Sequence, residues 1–136
     1  MGQEKVGISD AGAVKAVGAF GGGVASSGGV CGTLLGGIAL ISSIYSRGSL
    51  AEKEDPRMWK LSKEFIARFE QLTKECGSTD CRDIARVDWS DREAVRDYYA
   101  NPRSRRTVCI KLVGDAAYAL GKLLELEADQ VAKGGA

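Results

Sequence analysis

Four cysteines, Cys31, Cys76, Cys81 and Cys109, stand in a chain of 136 residues that contains no histidine. Without histidine the commonest general base and the commonest metal ligand are missing, and so is every Ser–His or Cys–His catalytic pair. The chemistry left open is that of the thiolate, either thiol–disulfide exchange or a thiolate-held metal. Cys31 follows a glycine-rich stretch and is expected in the first turn of a helix. Cys81 is expected in the first turn after the capping residues Ser78, Thr79 and Asp80. A helix N-terminus presents free N–H groups and partial positive charge, which lowers a thiol pKa. Cys76 and Cys109 fall on apolar stripes, where cysteine also serves as a small hydrophobe.

Three functions fit these positions. The first is a thiol redox protein in which Cys31 and Cys81 are the working pair, one attacking and one resolving, with Cys109 close enough to exchange. The second is a metal or iron–sulfur carrier using the four thiolates. Its spacing, C-x44-C-x4-C-x27-C, matches no standard metal motif. The third is a structural or partner-binding helical module whose cysteines fill a core. Cys31→Ser and Cys81→Ser separate the first from the third. Whether the chain is an enzyme, which cofactor it carries and which redox partner it meets are not written in these residues.

Length and composition set the frame. A chain of this size is expected to form a single domain, 1–136, with one core. A net charge of +1 gives no electrostatic case for nucleic acid. Four cysteines are too few for a disulfide-built secreted scaffold, and the first residues do not read as a signal peptide, so a cytoplasmic location with reduced thiols is expected. A homo-oligomer is compatible with the composition. No charge occurs between Lys15 and Arg47, a length that can span a bilayer. Glycines and serines interrupt its first half, so a buried helix from Val30 to Tyr45 is the better reading.

The elements that position the cysteines follow from spacing. A short helix is expected over Ala11–Phe20, ended by Gly21-Gly22-Gly23, and a glycine-tolerant helix from about Val30 to Arg47. Asp55-Pro56 should open a third helix on which Met58, Leu61, Phe65, Phe69, Leu72 and Cys76 form one stripe, closed by Gly77. Glu64 with Arg68 and Glu70 with Lys74 have i,i+4 spacing. A helical turn at Cys81 and a short helix over Arg92–Ala100, capped by Ser90 or Asp91, come next. The last helix, capped by Ser104, should run from about Arg105 to Val131 before a frayed tail at Lys133–Ala136. Arg103, Arg105 and Arg106 read as a solvated basic cluster. No segment alternates with period two. The fold class is all-α: a compact bundle with about four principal helices and short connecting helices.

Three blocks also carry a resemblance: FGGGVASSGGVCGTLLGGI, FIARFEQLTKECGSTDCRDI and CIKLVGDAAYAL. Together they resemble the C_GCAxxG_C_C family of putative redox-active proteins. Its members share a cysteine in a CGxLxG-like segment, a later cysteine after Gly-Ser, and a last cysteine opening an apolar helix. The resemblance implies redox activity and assigns those positions to Cys31, Cys81 and Cys109. A further family cysteine upstream of the glycine-rich segment has no counterpart here, and Cys76 lies outside the pattern.

One geometric expectation joins these readings. The helix opening at Cys31 should be the buried centre of the bundle. Its N-terminal end should meet the Ser78–Cys81 turn, with Cys31 and Cys81 within about 7 Å at Cα, the range a disulfide can bridge.

Overall fold

Helix α4, Arg57–Leu72, shows most directly how spacing becomes packing. The Asp55 carboxylate accepts from the Arg57 backbone N–H at 2.9 Å and satisfies one of the donors that open the helix. Met58, Leu61, Phe65 and Phe69 then point into the core, where Leu61, Phe65 and Phe69 are essentially inaccessible. Burying each of these side chains contributes about 1.5–3 kcal/mol. Leu72, expected on the same stripe, is 40% exposed. The helix stops there, a 3-10 turn over Lys74–Cys76 follows, and Gly77 closes it in the left-handed conformation. Arg68 does not pair with Glu64 but reaches across to the Ala119 carbonyl. Neither i,i+4 pair expected on this helix forms.

In the computed structural model, residues 2–134 are described. In chain order the other helices are α1 Gly2–Lys5, α2 Ala11–Ala16, α3 Gly32–Tyr45, α5 Cys81–Ala85, α6 Arg92–Ala100 and α7 Arg106–Gly134. Four of the seven helices among the described residues, α3, α4, α6 and α7, have nine residues or more. Among the described residues there is no strand, only an isolated antiparallel bridge between Val30 and Asp80. The fold is all-α, as the apolar periodicity predicts. No helix among the described residues is long and apolar enough to cross a membrane.

Helices α3, α4 and α7 pack against one another around Leu34, Ile41, Leu61, Phe65, Phe69, Leu112, Ala116, Leu120, Leu123 and Leu124. Gly37 allows the closest approach: a Cβ there would lie 2.2 Å from the Phe65 ring. Gly32 meets the Phe20 carbonyl in the same way, whereas Gly36 faces open space. Helix α3 touches α1, α4, α7 and the 3-10 turn Gly18–Phe20. It is not fully enclosed, however. Leu34, Gly37 and Ile41 are its buried residues, and Gly32, Thr33, Gly36, Ala39 and Leu40 line an apolar groove of about 420 Å³.

Several boundaries differ from expectation. The first expected helix stops at Ala16 and continues as the 3-10 turn Gly18–Phe20. A short helix, α1, precedes it and is tied to α7 by the Lys5–Glu125 ion pair at 2.6 Å. Lys133 and Gly134 continue α7 instead of fraying. Residues 135–136 of the expected tail lie outside the described residues.

Candidate functional site

Glycine chemistry builds the first wall of the site. After Phe20 the chain turns through five consecutive residues of positive φ: Gly22, Gly23, Val24, Ala25 and Ser26. Val24 is the least suited of these, because a branched Cβ strains the left-handed region. The turn is closed by backbone bonds, including Ala25 N–H to the Ala19 carbonyl at 2.6 Å and Gly29 N–H to the Gly23 carbonyl at 3.0 Å. Gly23 must be glycine. A Cβ there would lie 2.4 Å from the Gly29 oxygen and 2.7 Å from the Cys81 Cβ. The strained turn therefore rests directly on a cysteine.

The chain leaves this turn as a short extended segment and pairs with the segment before α5. Cys31 N–H donates to the Thr79 carbonyl at 2.9 Å, and Cys81 N–H to the Gly29 carbonyl at 2.7 Å. These bonds flank the Val30–Asp80 bridge. Side chains alternate along extended backbone, so Cys31 and Cys81 project on the same side of the pair, opposite to Val30 and Asp80. Arg82 fastens the junction further, its Nε donating to the Gly28 carbonyl at 3.0 Å.

Cys31 is the residue that caps α3, not a member of its first turn, and its side chain makes no capping bond. Cys81 is the first residue of α5. Cys109 comes from the first turns of α7. The three line one cavity of about 400 Å³, together with Phe20, Trp89 and Tyr98. Cys31 is buried, while Cys81 and Cys109 are half-buried. All four cysteines are free thiols. Cys76 packs against the core from the turn after α4 and does not line this cavity.

The electrostatics depart from the sequence expectation. Burial pushes the Cys81 thiol up, the Trp89 indole opposes it, and Cys31, Cys109 and Asp80 raise it further. Burial likewise raises Cys109, opposed by the Tyr98 hydroxyl and by Arg105. Tyr98 itself is pushed far above the usual phenol range, mainly by burial. Desolvation therefore outweighs the helix N-terminus that was expected to lower Cys81. Mutual repulsion among these thiolates means that ionising one makes the next harder to ionise.

Two further residues belong to the surroundings of the thiols. The Trp89 ring meets Tyr98 edge-on at 5.2 Å. Arg105 turns inward, unlike the exposed Arg103 and Arg106. Its Nε donates to the Ile84 carbonyl at 2.8 Å, and its Nη2 lies 3.6 Å from the Cys76 sulfur. Tyr98 escaped the sequence reading because an aromatic in the short helix α6 reads as core, and Trp89, in the turn before α6, reads only as a break between helices. Among the described residues no group of three or more cysteine, aspartate or glutamate side chains is placed to hold a metal ion.

Residues 1–123 match the model of the family described as "Putative redox-active protein (C_GCAxxG_C_C)". No curated protein and no solved structure matches the chain. The chain belongs to the C_GCAxxG_C_C family.

Proposed function

We propose that this chain is a thiol redox protein that exchanges two electrons with a disulfide-bearing partner through Cys31 and Cys81, with Cys109 as a third, exchanging thiol. The observation that carries the reading is that three cysteines from three separate elements line one cavity, two of them on the same side of the Val30–Asp80 pair. Core filler has no need of such convergence.

In the reducing direction, Cys81 is the better entry point because it is half-buried while Cys31 is buried. After losing its proton to solvent, the Cys81 thiolate attacks one sulfur of the partner disulfide. A Cys81–partner bond forms and the partner's other sulfur leaves as a thiolate. Cys31, once deprotonated, then attacks the Cys81 sulfur, forms the Cys31–Cys81 bond and expels the second partner thiolate. The partner gains two electrons and takes up two protons, and the protein is left with one disulfide. Oxidation of partner thiols is the same sequence reversed.

The test is a thiol count. Reduced protein is mixed with a neutral small-molecule disulfide, and remaining thiols are alkylated and weighed by intact mass. A fall from four alkylated cysteines to two, without retained reagent, supports the reading; four alkylated cysteines after exposure sink it.

A further inference from the structure

We infer that Trp89 and Tyr98 act as positioning hydrogen-bond donors toward the Cys81 and Cys109 sulfurs when those sulfurs ionise. The inference rests on the thiol reading above and adds residues to that same site.

The first observation is the Trp89 indole. Its Nε1–H is buried and has no partner at hydrogen-bonding geometry, which is uncommon for a buried donor. The residue lines the thiol cavity with Cys81. A neutral thiol is a weak acceptor, whereas a thiolate is a strong one. The unpaired N–H is therefore suited to a sulfur that becomes anionic when the site works. Tyr98, 7% exposed, lines the same cavity with Cys109.

The second observation is how rigidly both donors are held. Trp89 packs edge-on to Tyr98, and Tyr98 packs edge-on to Tyr99 at 5.1 Å. The Ser104 hydroxyl donates to the Tyr98 carbonyl at 2.6 Å, tying α6 to the start of the helix that carries Cys109. Such a shelf fixes its donors before any charge appears, which is what makes a donor effective toward a developing anion.

The third observation is what else faces these sulfurs. Around Cys81 stand Cys31, Cys109 and Asp80, all of which oppose a negative charge, and Trp89 is the group that favours it. Around Cys109 stand Cys31 and Cys76, which oppose it, and Tyr98 and Arg105, which favour it. Tyr99 and Cys81 face Tyr98. Arg105 stands on the Cys109 side, and for Cys81 the indole is the main favouring group.

The test follows individual cysteines. Iodoacetamide alkylation of the full chain is quantified peptide by peptide between pH 6 and 10 for wild type, Trp89→Phe and Tyr98→Phe. Trp89→Phe should move the Cys81 profile to higher pH and slow its alkylation at neutral pH by about tenfold for each unit moved. The Cys76 profile should stay in place. Tyr98→Phe should move Cys109 and leave Cys76. An unchanged Cys81 profile in Trp89→Phe overturns the inference, as does a shift of all four cysteines together. Should Trp89→Phe fail to fold, 3-benzothienylalanine at position 89 keeps the ring system and replaces N–H by sulfur, with the same expected shift and the same overturning result. Alkylation requires no disulfide, so its outcome is separate from the thiol count that tests the redox reading.

Discussion

Val30 and Asp80 pair as an isolated antiparallel bridge, and this single contact sets the relation between Cys31 and Cys81. Cys31 lies diagonally across from Cys81, a relation in which the separation is roughly 7–8 Å. That is at the edge of what a disulfide spans without backbone movement. The strained turn Gly22–Ser26 packs on Cys81 through Gly23.

Two substitutions in that turn should have opposite signs. Gly23→Ala drives a Cβ into the Gly29 carbonyl and Cys81, at a positive φ that costs a further 1–2 kcal/mol or so. Denaturant unfolding should show a loss of at least about 2 kcal/mol. Val24→Gly removes a branched side chain from φ 64 and should raise stability by up to about 1 kcal/mol.

The glycines of α3 give a second pair. Gly37→Ala places a methyl against the Phe65 ring, and overpacking of this kind costs about 1–3 kcal/mol. Gly36→Ala meets nothing within 4 Å and should gain up to about 1 kcal/mol from helix propensity. Thermal melts of the two variants should shift in opposite directions.

The helices were legible because Met58, Leu61, Phe65 and Phe69 repeat at helical spacing, and because Asp91 caps α6 as its type predicts, accepting from Glu93 N–H and Ala94 N–H. The cysteine positions pointed to thiol chemistry for the same local reason. Their protonation was not legible. A helix N-terminus is visible in sequence, but the desolvation of Cys81 and Cys109 depends on residues up to 50 or more positions away, such as Gly23 beside Cys81. The inward turn of Arg105 has the same origin: its acceptor, the Ile84 carbonyl, lies in another element.

Alkaline pH should destabilise the protein through the same thiols. Burial raises Cys81 and Cys109 above the ordinary thiol range, so the folded state keeps protons that the unfolded chain releases. Their contribution is complete below the unfolded thiol pKa and is lost as pH rises through the folded values. Tyr98 adds a dependence of the same sign at higher pH. The unfolding midpoint should fall across this window, and Cys81→Ser with Cys109→Ser should flatten the fall.

Lys60 should matter more than an exposed ion pair normally does. Its ammonium bonds the Glu127 carboxylate at 2.8 Å, and Glu127 is 7% exposed on the core side of α7. Lys60→Ala removes the hydrogen-bonded cation from that buried carboxylate and should lower stability. Lys60→Ala with Glu127→Gln should recover part of it in denaturant unfolding.

Peptide mapping of the two-electron-oxidised protein tests the central claim most directly. Reduced chain is oxidised with one equivalent of a neutral disulfide, free thiols are blocked, and the digest is searched for linked cysteines. A peptide joining Cys31 to Cys81, absent after reduction and abolished in Cys31→Ser and Cys81→Ser, is the predicted result. Recovery of both Cys31 and Cys81 as blocked free thiols, with the reagent consumed elsewhere or not at all, would contradict it.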